Sequence, residues 1–449
     1  MLHTKDYKQL IKLFFCFVVP SVSSQLLSGI YTIVDGFFVG MGTGEAGLAA
    51  VGLAYPFTVF VTAVGAGIGV GGGALISIST GRRREKLAER VLGSMSFLIL
   101  CASLVTSFVL GFGAEYFLSL YDVSAKVAGM SYIYALILLI GSPAQIFTMG
   151  FLGAVRNDGY PRKAMYIMIS GFIANIILDW LLVIVFPLGT AGAAAATLAS
   201  QTLTAVPLAF HFIGGHSKVR LKMRCLKPSV AICKNIIRMG FSPFGVQVAA
   251  ALTMIMHNWQ SLAYGGDTGV AAYAVVGYIV PVGVMLQEGI AEGIQPLISY
   301  YYGANLHARR RLTARMGFSS AIVIGIICSA LIFVFRTFVP SFFSMKGEAA
   351  AIAVRGLLLS VPMFPFLGLA KVGASYFQSV GRMKLASGLT YADPFFLLPL
   401  FLWMLPEFWG LDGVWLAMPF ANIFLCIAFI IMWKRESSAR IPRVTGLFL

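Results

Sequence analysis

The chain has 449 residues, 59% of them hydrophobic and 11% charged, with a mean hydropathy of +0.87. A soluble domain carries about a quarter charged residues, so the composition excludes a water-soluble enzyme or binding module and points to a polytopic membrane protein. The net charge of +16 would suit a nucleic-acid ligand, but the placement of the charges, given below, accounts for it without one.

Apolar runs long enough to cross ~30 Å of hydrocarbon predict twelve transmembrane helices near 10–38, 47–78, 91–118, 128–153, 163–186, 189–213, 233–263, 269–300, 312–343, 349–379, 384–405 and 410–434. The first follows Lys5, Lys8 and Lys12; it is too long for a signal peptide and lacks a small-residue cleavage site, so it is expected to be retained. Pro20 lies within it and predicts a kink, because proline removes a helical hydrogen bond. Asp35 follows in the same span, in the segment Tyr31–Gly40. In the second span Gly67, Gly69 and Gly72 fit the dinucleotide pattern G-x-G-x-x-G. That pattern has meaning only between a strand and a helix; mid-span, with Gly65, Gly71 and Gly73, it predicts close helix approach or a bend.

The fifth span carries Asn175 and Asp179, four residues apart and so on one helix face. The sixth places Thr197 in an Ala/Gly-rich stretch. The longest polar connection follows, and the expected organisation is a first six-helix lobe over 1–213, a cytoplasmic linker over 214–232, a second six-helix lobe over 233–434 and a cytoplasmic tail over 435–449. In the second lobe Glu288 and Glu292 are i,i+4 neighbours on the eighth span, Lys371 lies on the tenth and Asp393 on the eleventh. Ionisable residues inside a bilayer are costly and are functional by default.

Lys126, Arg336, Lys346 and Arg355 fall toward one side of the membrane and Lys371 within a span; the other Lys and Arg fall on the opposite side. An excess of basic residues marks the cytoplasmic face, so both termini are expected inside a cell's inner (plasma) membrane. The basic loops are then topology signals able to touch anionic lipid. The six cysteines show no CxxC spacing, and neither a disulfide framework nor a zinc site is expected. The histidines His3, His211, His216, His257 and His307 show no paired metal spacing, and no enzyme is expected.

Residues 44–81 and 266–303 are one passage written twice, 222 positions apart. Gly44, Gly47, Ala49, Ala50, Gly67, Gly71 and Gly81 recur as Gly266, Gly269, Ala271, Ala272, Gly289, Gly293 and Gly303. Internal repeats outrank local pattern. A repeat of about half the chain, unreversed, predicts two half-bundles related by a pseudo-two-fold axis, as in transporters with one central site. The fold class expected is therefore an all-α polytopic membrane protein of two six-helix bundles.

The segments Tyr31–Gly40, Leu48–Pro56, Gly69–Gly81, Asn175–Asp179 and Gln295–Ala304, in this order and spacing, resemble the MATE (multidrug and toxic compound extrusion) transporters, particularly the branch typified by DinF and MepA. The resemblance covers essentially the whole chain. It implies a cation site in the first lobe formed by Asp35, Asn175, Asp179 and Thr197, with Pro20 at the bending proline. Two carboxylates, an amide oxygen and a hydroxyl are hard oxygen ligands suited to Na⁺; a shared proton is the other option. A bland alternative has both aspartates capping helix-end amides. The second half departs from the family: the seventh-helix glutamate of NorM-type members is absent, with Gln247 and Asn258 as polar features instead, and the arginine common near Asp393 is missing.

The implied function is efflux of organic, cationic compounds, driven by inward H⁺ or Na⁺ through alternating access, and hence xenobiotic export and antibiotic resistance. The coupling ion would be the only metal, and no cofactor is expected. Tyr31, Phe37, Met256 and Met285 suit loose recognition of flat apolar molecules, and Glu288 and Glu292 suit a cationic substrate, a second proton, or pairing with Lys371. The expected partners are small organic molecules and the lipid bilayer, with no nucleic acid and a monomeric state. The alternative reading is a lipid-linked oligosaccharide flippase of the same superfamily, whose cavity would need strong positive charge; Lys371 alone is thin support for it.

Overall fold

The computed structural model describes residues 4–120, 123–215, 217–222, 227–342 and 345–438. Within a bilayer each backbone N–H and C=O must be satisfied internally, and among the described residues the chain meets this with helices alone. In chain order the spans are α1 (Asp6–Gly44), α2 (Ala46–Gly81), α3 (Glu85–Ser119), α4 (Ala125–Ile140 with Ser142–Asn157), α5 (Pro161–Val185), α6 (Gly189–Ile213), α7 (230–265), α8 (267–303), α9 (His307–Phe335), α10 (Gly347–Ser360 with Met363–Ser379), α11 (Met383–Trp409) and α12 (Leu411–Glu436). The stretch Val230–Gly303 is continuous helix but for one residue; at 74 residues it would run about 110 Å if straight, and it divides at Gly266 into α7 and α8. Twelve spans result among the described residues, in the places the hydropathy predicts. The linker expected over 214–232 yields to α7 at Val230, and of the tail expected over 435–449 the residues up to Ser438 continue α12 while the rest lies outside the described residues.

The turns α1–α2 and α7–α8 are single-residue breaks. Gly44 has φ 66°, ψ −160° and Gly266 φ 55°, ψ −155°, a region open only to glycine. The repeat extends to the rest of the backbone. Positive φ at Arg83 and Gly159 recurs at Asn305 and Gly381, each 222 residues on. The bend inside α4, 53°, recurs inside α10 at 50°; Pro143 and Pro365, also 222 apart, follow the two breaks, and proline is the usual cause of such kinks. Pro20 itself sits inside helical φ/ψ, since Gly44 is the one non-helical residue of Thr4–Gly81. Its missing N–H leaves the Cys16 carbonyl without the i+4 donor.

Over the described residues the chain groups into two compact units. One contains Leu26–Gln247 and Ser299–Asn305; the other contains residues 4–25, 248–298 and, up to the last described residue, 306–438. The starts of α1 and α7 thus group with the opposite half of the chain, and the changeovers at Gln25 and Gln247 are again 222 apart. Small residues make the close packing in each unit. In the first, a Cβ on Gly69 would stand 2.6 Å from the Gly150 Cα, and one on Gly67 3.1 Å from the Gly240 carbonyl. In the second, Cβ atoms on Gly289 and Gly293 would stand 2.5 and 2.6 Å from the Cα atoms of Val22 and Val18. The glycine run of α2 is therefore a helix-packing surface.

Candidate functional site

In the first unit α1 presents Tyr31 and Asp35, one turn apart on one face. From α5 come Asn175 and Asp179, both fully buried. Regular α-helix ends at Asp179, and a π-helical stretch, Trp180–Val185, follows. Such bulges widen a helix by one residue per turn and recur at functional sites. The first half of α6, where Gly192, Ala193, Ala194 and Ala196 are fully buried or nearly so, brings Thr197 close.

The structure brings these residues together. The Asp35 and Asp179 side chains are in direct contact through their carboxyl groups. Thr197 is at hydrogen-bonding range of the Tyr31 hydroxyl, and Tyr31 is in electrostatic contact with both aspartates. The Tyr31 ring stacks on Phe172 of α5, centroids 4.8 Å apart and planes at 8°. Among the described residues, neither Asp179 oxygen, neither polar atom of Asn175, nor Asp35 Oδ1 has a hydrogen-bond partner. Buried polar groups without partners are costly. Two carboxyls in contact, with an amide one turn away and no donor supplied, form a site that a proton or a small monovalent cation would complete. Capping would require backbone N–H donors, and neither Asp179 oxygen nor Asp35 Oδ1 accepts one among the described residues. Among the described residues no three His, Cys, Asp or Glu side chains converge.

One member of this site escaped sequence reasoning. Tyr134 of α4 is buried and in electrostatic contact with Asp35, Asp179 and Tyr31. Its segment is apolar throughout and has no periodicity that would single it out. Phe37, expected to contact substrate, is 61% exposed and edge-on to Phe38. Two residues along a helix place a side chain on nearly the opposite face.

The second unit holds Met256, Met285, Glu288 and Glu292. Met256 is half-buried against the core of Leu398, Phe401, Leu402 and Leu405, which is ordinary helix packing. Met285, Glu288 and Glu292 are half-buried on α8. Glu288 Oε1 accepts from Lys371 Nζ of α10 at 2.7 Å, the pairing that spacing had left as one of three options. Lys371 is also in electrostatic contact with Asp393. Asp393 opens the second π-helical stretch, Asp393–Leu397, as Asp179 precedes the first. Lys371, on another helix, is the basic residue whose charge acts on Asp393.

The MatE family model matches residues 20–181 and 239–392. Among curated proteins the chain is similar to the Multidrug export protein MepA of Staphylococcus saprophyticus, 23% identical over 400 residues, covering 89% of this chain and 88% of that protein. The MepA of Staphylococcus haemolyticus is 23% identical over 430 residues, covering 96% and 94%. Among solved structures, a MOP superfamily transporter from Pyrococcus furiosus shares the fold with a TM-score of 0.90 at 24% identity, covering 95% of this chain and 96% of that one. With both halves matched by the family model, the chain belongs to the MatE family.

Proposed function

We propose that the protein is a multidrug efflux antiporter of the plasma membrane, a monomer with both termini cytoplasmic, which exports organic cations in exchange for inward H⁺ or Na⁺. The observation that carries this reading is the approach of Asp35 to Asp179, two carboxyls from different helices inside apolar spans, with both Asp179 oxygens and Asp35 Oδ1 buried and given no donor by the rest of the site. Such a pair gains a proton or a small cation when it opens to one side of the membrane and loses it on the other. Coupling requires that ion and drug favour the two conformations oppositely. The family membership and the multidrug export named for the staphylococcal relatives support the drug half of the reading.

Preference for cations is supported by formal charge: away from the helix ends, Glu288, Glu292 and Asp393 are the acids of the second unit's spans and Lys371 the base beside them. Lys371 is tied to Glu288, which leaves little positive charge for a pyrophosphate-linked substrate and disfavours flippase activity. The test is ethidium efflux from proteoliposomes under separately imposed H⁺ and Na⁺ gradients. Efflux under one gradient identifies the coupling ion; dye movement indifferent to both would refute the exchange.

A further inference from the structure

The 222-residue offset carries Asp35 of α1 onto His257 of α7 and Tyr31 onto Thr253. The backbone keeps this register, since the glycine breaks at 44 and 266 and the changeovers between units at 25 and 247 obey the same offset. His257 therefore occupies in the second half the place that the acid of the ion site holds in the first.

The surroundings of His257 lie within one unit and are built for a ring. It is 2% exposed and stacks on Tyr273 of α8, centroids 5.5 Å apart and planes at 6°; Tyr273 in turn stacks on Trp415 of α12 at 5.9 Å. Nδ1 lies 2.9 Å from the Thr253 carbonyl, one turn earlier. A carbonyl only accepts, so Nδ1 carries the hydrogen and Nε2 is a bare lone pair. Nε2 has no partner, and one turn later the fully buried Ser261 Oγ has none either. The groups facing the ring are Thr253 and Ser261 on α7, Tyr273 on α8 and, behind it, Trp415 on α12; no charged side chain among the described residues contacts it.

We propose that His257 is a second proton-binding site of this chain, its Nε2 taking one proton in the half that lacks the aspartate pair. Nε2 accepts H⁺ from water admitted when the unit opens, no other bond changes, and the proton returns to water on the opposite side. An imidazolium needs water or a counter-charge, and the closed stack offers neither, so proton occupancy differs between conformations, as coupling demands. The Tyr273 stack and the Thr253 bond hold the ring while its charge changes. This role deepens, and rests on, the ion-coupled reading of the preceding section.

The full chain, in nanodiscs and ¹⁵N-labelled at histidine, provides the test. The His257 ring signals are those that vanish in His257→Gln, with His257→Phe, which keeps the stack, as the second variant should Gln fail to fold. As the pH is lowered from about 8 to about 4, the wild-type ring should pass from a bare Nε2 toward imidazolium, and ethidium should shift that transition. A ring that stays neutral throughout, with and without dye, overturns the assignment whatever the coupling ion. In weakly buffered micelles, the protons released on ethidium binding should fall by about half in the variant, one of two titrating sites being gone. Release in wild type that is unchanged in the variant removes His257 while leaving coupling at Asp35; no release in wild type, with a ring that titrates but ignores dye, counts against the proton-coupled reading itself.

Discussion

Lys371 Nζ lies 2.7 Å from Glu288 Oε1, with both side chains little more than a fifth exposed, so an ion pair ties α10 to α8 inside the apolar part of the second unit. Removing one member of such a pair leaves the other half-buried and uncompensated, while removing both restores neutrality. Glu288→Gln should therefore lower stability by about 1–2 kcal/mol, the partial exposure having been allowed for, and Lys371→Met should recover much of it. Thermal unfolding of the two single variants and the double variant in detergent gives the coupling energy. The same Glu288→Gln change should raise KM for a cationic dye more than for a neutral one. Equal effects on both dyes would assign the pair to structure alone.

The proposed coupling has Asp35 and Asp179 share one ion. Asp35→Asn should abolish gradient-driven ethidium efflux while leaving expression and thermal stability near wild type, since it removes charge from a cluster that no protein donor completes. Residues that share a site give non-additive losses, so Asp35→Asn with Asp179→Asn should be hardly worse than the poorer single variant. Losses that multiply in the vesicle assay would mean separate roles.

Gly44 and Gly266 carry the φ values at which any side chain is strained. Alanine at either should cost about 1–3 kcal/mol, although a Cβ at either meets nothing within 4 Å. Gly113 in α3 also has open space but helical dihedrals, so Gly113→Ala should be neutral or stabilise by up to about 1 kcal/mol. Melting temperatures of the three variants separate backbone strain from steric clash.

His211, fully buried at the end of α6, engages both ring nitrogens. Nε2 donates to Asp158 Oδ2 at 2.9 Å and Nδ1 accepts from Lys163 Nζ at 3.0 Å. His211→Ala strands the buried Asp158 carboxylate and opens space beside Phe212 and Tyr160, whose rings pack on the imidazole. A loss of about 2–4 kcal/mol is expected, read by thermal unfolding, with a smaller loss for His211→Gln.

The place of every span was legible in the sequence, because only long apolar helices satisfy their backbone in hydrocarbon and their ends must carry polar or glycine residues. The repeat was legible too, down to the breaks at Gly44 and Gly266. So were the acids worth attention, since a carboxylate inside a bilayer is costly enough to stand out against its neighbours. Which of them meet was decided only by tertiary packing. Asp35 and Asp179 are 144 residues apart, and Lys371 reaches Glu288 across 83 residues; helical periodicity orders residues three and four apart and is silent beyond one helix. The π-helical stretches after Asp179 and at Asp393, the place of Tyr134 and the exposure of Phe37 belong to the same class. So does the grouping of the starts of α1 and α7 with the other half of the chain, which glycines 67, 71, 289 and 293 permit by close contact but which no local pattern announces. Hydrophobic transfer is a property of segments and can be read from composition; pairing is a property of surfaces, which exist only once the helices have packed.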